Sequence, residues 1–218
     1  MSEPQPIDLY YWPTPNGFKV SIFLEEAGLP YTVHPIDIAK GDQYAPEFLA
    51  ISPNNKIPAI VDPDGPGGQP VSVFESGAIL LYLAEKTGSP LLPTDPRARY
   101  TTLQWLMFQM GGVGPLLGQA NHFLSFAKED VPYGKTRYHE EAKRIYGVMD
   151  TRLGASPYLA GPDYTIADVA TYPWVFRHAM HKIELDAFPN VKRWADTIGQ
   201  RPAVQRGMDV PPPPKPAP

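Results

Sequence analysis

The stretch Ile7-Asp8-Leu9-Tyr10-Tyr11-Trp12-Pro13-Thr14-Pro15-Asn16-Gly17 runs from an apolar, aromatic segment straight into a Pro/Asn/Gly turn. The first half has the composition of a buried strand, and the turn opens onto Lys19 to Ala27. There Val20, Phe23 and Leu24 recur at helical spacing, with Glu25 and Glu26 on another face. A strand feeding a helix through a tight turn is the start of an α/β unit, and the next residues continue it. Tyr31 to Asp37 reads as a second strand, Pro46-Glu47-Phe48-Leu49 as a short helix, and Ala59 to Asp62 with Val71 to Phe74 as a strand pair joined by a Gly/Pro-rich loop. Ser76 to Lys86 closes the unit as a helix with Ile79, Leu80 and Leu83 facing inward. The order is βαβαββα.

Beyond this unit the pattern changes. Gly88-Ser89-Pro90 through Asp95-Pro96 is rich in turn residues, and from there to about Gly207 the periodicity is helical. Thr101 to Met110, Arg137 to Leu153 and Ile166 to about His178 read as helices. Gly111-Gly112-Val113-Gly114-Pro115 is expected to interrupt the first, because a proline in a helix interior costs roughly 3 kcal/mol. The third has a marked start: the Thr165 hydroxyl can accept the Asp168 amide while the Asp168 carboxylate reaches back to the Thr165 amide. Such a cap is worth about 0.5–2 kcal/mol, and structural capping is the reading of both residues. The expected organisation is an α/β domain over residues 1–87, a linker over 88–97, an all-α domain over 98–207 and a proline-rich tail over 208–218. The tail lacks amide donors at its prolines, so it forms neither helix nor ladder.

Composition narrows the function. Lys plus Arg number 19 against 23 Asp plus Glu, giving a net charge of −4, without the basic clustering of nucleic-acid proteins. No apolar run approaches the roughly 18 residues of a membrane span, and Met1 to Pro6 lacks the features of a signal peptide. A cytoplasmic protein without nucleic-acid or membrane partners is expected. There is no cysteine, so any thiol chemistry must use a sulfur that arrives with a ligand.

Three short segments carry the chemistry. Thr14 and Asn16 lie where the first helix begins, as hydroxyl and amide donors or simply as turn and cap. Ile57-Pro58 is an X-Pro step at a strand start. Glu75-Ser76 stands where a strand gives way to a helix, whose free amides and positive dipole end favour a carboxylate, with the Ser76 hydroxyl as a further donor. A simple N-cap explains Ser76 but not a carboxylate placed just before it.

In their order and spacing these segments resemble the glutathione transferases, most of all the bacterial Nu class and the fungal nitrogen-regulator-like proteins. The likeness covers all but the last ten or so residues, and the Thr165/Asp168 cap matches the buried capping element of the family. It implies a thioredoxin-like N-terminal domain followed by an all-α domain, and a cis bond at Ile57-Pro58 that lets the Ile57 backbone pair with the cysteinyl part of glutathione. It further implies that Glu75 accepts the γ-glutamyl ammonium, that Ser76 holds the α-carboxylate, and that Gln43, Lys56 and Arg137 serve the glycyl carboxylate or a second glutathione. Solvated surface charges are the other reading of Lys56 and Arg137. For the sulfur, the resemblance offers Thr14 with Asn16, or Tyr11, which aligns near the catalytic tyrosine of other classes.

The implied activity is a glutathione-dependent disulfide-bond oxidoreductase or peroxidase with weak transferase activity, using bound glutathione, reduced or as the disulfide, and no metal. A glutathione-binding regulator or ligand carrier is the alternative. The implied partners are glutathione and a small disulfide, peroxide or electrophile. A homodimer is expected, with Leu106, Met107 and Met110 in the contact.

Overall fold

The computed structural model describes residues 5–210 and divides into two compact units. The first holds residues up to Thr87 together with those from Pro202 onward; the second spans Gly88–Arg201.

In the first unit, β1 (Ile7–Tyr11), α1 (Pro15–Ala27), β2 (Tyr31–Pro35), α2 (Pro46–Leu49), β3 (Ala59–Asp62), β4 (Val71–Phe74) and α3 (Ser76–Thr87) follow the expected order. The strands form one four-stranded sheet, β2-β1-β3-β4. β1 and β2 run parallel, while β3 is antiparallel to both β1 and β4. Along β1, Ile7, Leu9 and Tyr11 are buried and Asp8 and Tyr10 half-buried, the two-residue alternation of a strand with one face on the core. Val20, Ile22, Phe23 and Leu24 of α1 and Ile79, Leu80 and Leu83 of α3 are all fully buried and belong to the same core.

One further helix belongs to this unit. The sequence carries the helical domain to residue 207, whereas α9 (Pro202–Met208) packs on α1. The physical reason is a close approach: a Cβ at Gly207 would lie 2.5 Å from the Cα of Ile22, and the Ser21 hydroxyl donates to the Gly207 carbonyl at 2.7 Å. Arg206 adds an ion pair to Glu25 at 2.6 Å. Replacing Gly207 with alanine should therefore destabilise the protein by about 2 kcal/mol, as overpacking against backbone does. Thermal unfolding checks this, and an unchanged midpoint would mean that α9 is not docked this closely.

The second unit is helical throughout: α4 (Pro96–Phe108), α5 (Gly114–Asn121), α6 (Pro132–Gly154), α7 (Ile166–Val175) and α8 (Pro189–Gly199), with short turns of 3₁₀ helix between α7 and α8. Its core includes Leu106, Val113, Leu117, Ile145, Met149 and Trp194. The expected interruption at Gly111 to Pro115 takes another form. A π-helical turn over Gln109–Val113 carries the chain from α4 into α5 without a break, and Pro115 is accommodated in the turn that follows it. The third expected helix stops at Val175, two residues past the internal Pro173, and a 3₁₀ turn over His178–His181 follows.

The Thr165/Asp168 cap is present in reciprocal form. The Asp168 carboxylate accepts the Thr165 amide at 3.0 Å, and Thr165 Oγ1 takes the Ala167 amide at 3.3 Å. Among the described residues no helix is long and apolar enough to cross a membrane. The proline-rich tail lies, from residue 211, outside the described residues.

Candidate active site

The strand register brings the sequence motifs of the first unit together. Tyr10 of β1 pairs with Ala59 of β3, and Ala59 pairs with Phe74 of β4. The end of β1, the start of β3 and the end of β4 therefore share one end of the sheet, and β2, parallel to β1, ends there too. Consequently Thr14 and Asn16 after β1, Gln43 after β2, Lys56-Ile57-Pro58 before β3 and Glu75-Ser76 after β4 all emerge at this edge.

The first helix starts sharply. Thr14 is its N-cap, in extended backbone, and its Oγ1 accepts the Gly17 amide at 3.3 Å. Pro15 occupies the first turn, and the Thr14 carbonyl takes the Phe18 amide at 3.0 Å. Gly17 is required by crowding rather than by its torsions: a Cβ there would lie 2.3 Å from the Trp12 carbonyl oxygen and 2.9 Å from the Tyr11 ring. The two candidate sulfur donors thus differ in access. Thr14 is partly exposed at the helix mouth, whereas Tyr11 is 0 % exposed with its ring edge-on to Phe18.

The Ile57-Pro58 bond is cis. The loop ahead of it is braced by Ser52, fully buried, whose hydroxyl donates to the Lys56 carbonyl at 2.8 Å. Asn55 has φ 51 and Glu75 φ 70, so two of the three non-glycine residues with positive φ among the described residues border this sheet edge. For glutamate this left-handed conformation is unfavourable, and strain of this kind gathers at binding sites. Glu75 is exposed, and Ser76, 4 % exposed, begins α3.

Behind Ser76 lies a residue that pattern reading passed over. Lys19, in the second turn of α1, is only 1 % exposed and its Nζ donates to Ser76 Oγ at 3.2 Å. Loss of hydration pushes its ammonium down to about pKa 7, with the Glu75 charge pulling the other way. The available signal was a lysine directly between Phe18 and Val20 on a face that the helix buries.

Gln43 sits in a 3₁₀ turn over Asp42–Tyr44, its Nε2 facing the Ile38 carbonyl at 3.4 Å and its buried Oε1 without a hydrogen-bond partner among the described residues. Lys56 is exposed. Arg137 is exposed on α6 of the helical unit, one turn ahead of Glu141. Among the described residues no group of three or more His, Cys, Asp or Glu could hold a metal ion.

Asp168, by contrast, has a structural setting. Its carboxylate is fully buried and engaged by Leu159, Thr165 and Trp194 of its own unit. Burial pushes the carboxyl up, and these hydrogen bonds oppose the rise.

With this geometry in place, likeness to known proteins adds the chemistry. The family profile of the glutathione S-transferase N-terminal domain matches residues 14–86, and that of the C-terminal domain residues 125–202. The Escherichia coli K12 disulfide-bond oxidoreductase YfcG is 53% identical over 203 residues, covering 93% of this chain and 94% of that protein. A glutathione transferase family member from Pseudomonas fluorescens, solved with two glutathione bound, superposes with a TM-score of 0.91 at 52% identity, covering 97% of this chain and 96% of that one. A glutathione transferase from Pseudomonas putida, solved with one glutathione disulfide per subunit, has a TM-score of 0.91 at 48% identity, covering 97% and 94% respectively.

Proposed function

The chain belongs to the glutathione S-transferase family, and from that premise we propose that it is a glutathione-dependent disulfide-bond oxidoreductase. It acts on small disulfides or peroxides and has weak transferase activity toward electrophiles. The carrying observation is the meeting of Thr14, cis-Pro58 and Glu75-Ser76 at one end of the sheet, in a chain without cysteine.

In this reading the γ-glutamyl α-carboxylate lies at the N-terminus of α3 on the Ser76 hydroxyl, and Glu75 accepts the neighbouring ammonium. The Ile57 backbone takes the cysteinyl part as an added strand. The sulfur then rests at the start of α1, where the Thr14 hydroxyl and the Asn16 amide stabilise its thiolate. Gln43 and Lys56 hold the glycyl carboxylate or a second glutathione. The reaction is thiol–disulfide exchange: a glutathione thiolate attacks one sulfur of the substrate, and a second glutathione resolves the mixed disulfide. Two thiols are released, and the glutathiones leave as their disulfide. No protein sulfur is consumed.

The protein stands with the Nu class, works in the cytoplasm and pairs as a two-fold homodimer. Exposed Tyr100 and Met107 of α4 support such a contact; Leu106, fully buried within the chain, has no part in it.

Steady-state assay of glutathione with hydroxyethyl disulfide, beside an aryl halide, tests the reading. Disulfide reduction should exceed conjugation, and glutathione at a hundred times its Kd should stabilise the fold by about 2.7 kcal/mol, visible as a higher Tm. Binding without turnover of either substrate would make the protein a carrier or regulator instead.

A further inference from the structure

Lysine side chains almost always bring their ammonium to water, so a lysine at 1 % exposure in the middle of an apolar helix face calls for a reason. Packing does not supply one. Phe18, Val20, Ile22, Phe23 and Leu24 around it are all buried, and an unbranched apolar side chain of similar length would fill the same space without losing the hydration of a charge. What distinguishes Lys19 is its far end, which lies 3.2 Å from the Ser76 hydroxyl and within the field of Glu75.

We propose that Lys19 is a positioning residue that makes the site specific for the α-amino-acid end of its ligand, by holding the Ser76 hydroxyl as a donor and placing a buried positive charge behind the ligand's α-carboxylate. This inference rests on the glutathione reading of the site. A hydroxyl has one proton and two lone pairs, and an N–H from the ammonium occupies a lone pair, which favours donation by the hydroxyl proton to an anionic acceptor. The buried ammonium polarises that hydroxyl, and in a low-dielectric setting its charge acts across one intervening oxygen with little screening. Beside it, exposed Glu75 is held at φ 70. Lys19 behind and Glu75 beside present a cation and an anion in complementary sense to the carboxylate and ammonium of a γ-glutamyl group. A ligand lacking either charge leaves one of them unanswered.

The test uses calorimetric titration of the full-length protein with two ligands: glutathione, and the analogue 4-aminobutanoyl-cysteinyl-glycine, which lacks only the α-carboxylate. Lys19→Met should weaken glutathione about ten- to hundredfold, the loss expected when a charge-assisted contact disappears. The analogue should change less than about threefold, because it has no carboxylate to lose. Lys19→Gln keeps a donor but drops the charge, and should show the same selective loss at about tenfold. It covers the case in which methionine disturbs the helix.

Glutathione affinity within twofold of wild type in both variants would overturn the proposal. Equal losses for both ligands would do the same, since that pattern belongs to a structural lysine. If wild-type protein bound neither ligand, the glutathione reading itself would fall and take this inference with it; wild-type binding with unselective variants would remove Lys19 alone.

Discussion

Replacing Asp168 with alanine should cost the helical unit about 3–5 kcal/mol, well beyond the loss of a helix cap. Its carboxylate is fully buried: Oδ1 accepts the Leu159 amide and the Trp194 indole N–H, each at 2.9 Å, and Oδ2 accepts the Thr165 amide at 3.0 Å and the Thr165 hydroxyl at 3.2 Å. Alanine strands these donors away from water, at about 1–3 kcal/mol for each one that finds no substitute. Local relaxation lowers the sum. Thr165→Ala removes only the capping hydroxyl and keeps the acceptor, so it should fall in the range of about 0.5–2 kcal/mol and calibrate the first value.

Thermal unfolding followed by tryptophan fluorescence reads both, with Trp105, Trp174 and Trp194 all in the helical unit. A midpoint lower by roughly 10 °C is expected for Asp168→Ala. A fully folded Asp168→Ala protein with turnover down a hundredfold would instead make the carboxylate part of the chemistry.

Thr14→Ala should raise the apparent pKa of disulfide reduction by about one to two units, whereas Tyr11→Phe should leave it nearly unchanged. Bringing a thiol from near 8.5 to roughly 6.5 takes about 2.7 kcal/mol of thiolate stabilisation. A charge-assisted hydrogen bond supplies about 1.5–3 kcal/mol and a helix end about 0.3–1. One hydroxyl at a helix N-terminus is therefore sufficient, and Thr14 occupies that position with partial exposure. Tyr11 is fully buried against Phe18.

A donor stabilises the charged thiolate, so its removal shifts the rising limb of the pH–rate profile to higher pH. Thr14→Ser, which keeps both the hydroxyl and the cap, should restore the profile and separate a donor effect from damage to α1. A large shift in Tyr11→Phe with none in Thr14→Ala would reverse the assignment.

Much of the site was legible because its parts are local signals. A threonine before Pro15-Asn16-Gly17 marks a helix start, and a Thr-x-x-Asp step marks another; each depends on bonds that span three residues or fewer. The strand limits Ala59–Asp62 and Val71–Phe74 were set by turn residues on either side. Lys19 was not legible in this way. Its partner lies 57 positions away, and at helical spacing a lysine on an otherwise apolar face is as readily a snorkelling side chain as a buried one.

The π turn at Gln109–Val113 escaped for a related reason. Two glycines and a proline weaken a helix locally, but whether the chain breaks or inserts one wider turn depends on what the flanking helices pack against.

By itself, then, the sequence determined the order βαβαββα, the helical second half, the two helix caps and the residue types offered to a thiol-bearing ligand, all of them consequences of short-range propensity and periodicity. Only the tertiary structure decided the rest. The β1-β3-β4 register brought motifs well separated in the chain to one edge, α9 docked on α1 through the space left by Gly207, and Leu159 and Trp194 turned a helix cap into a buried hub at Asp168. Burial of a polar group is a property of everything folded around it, and no window of local sequence contains that information.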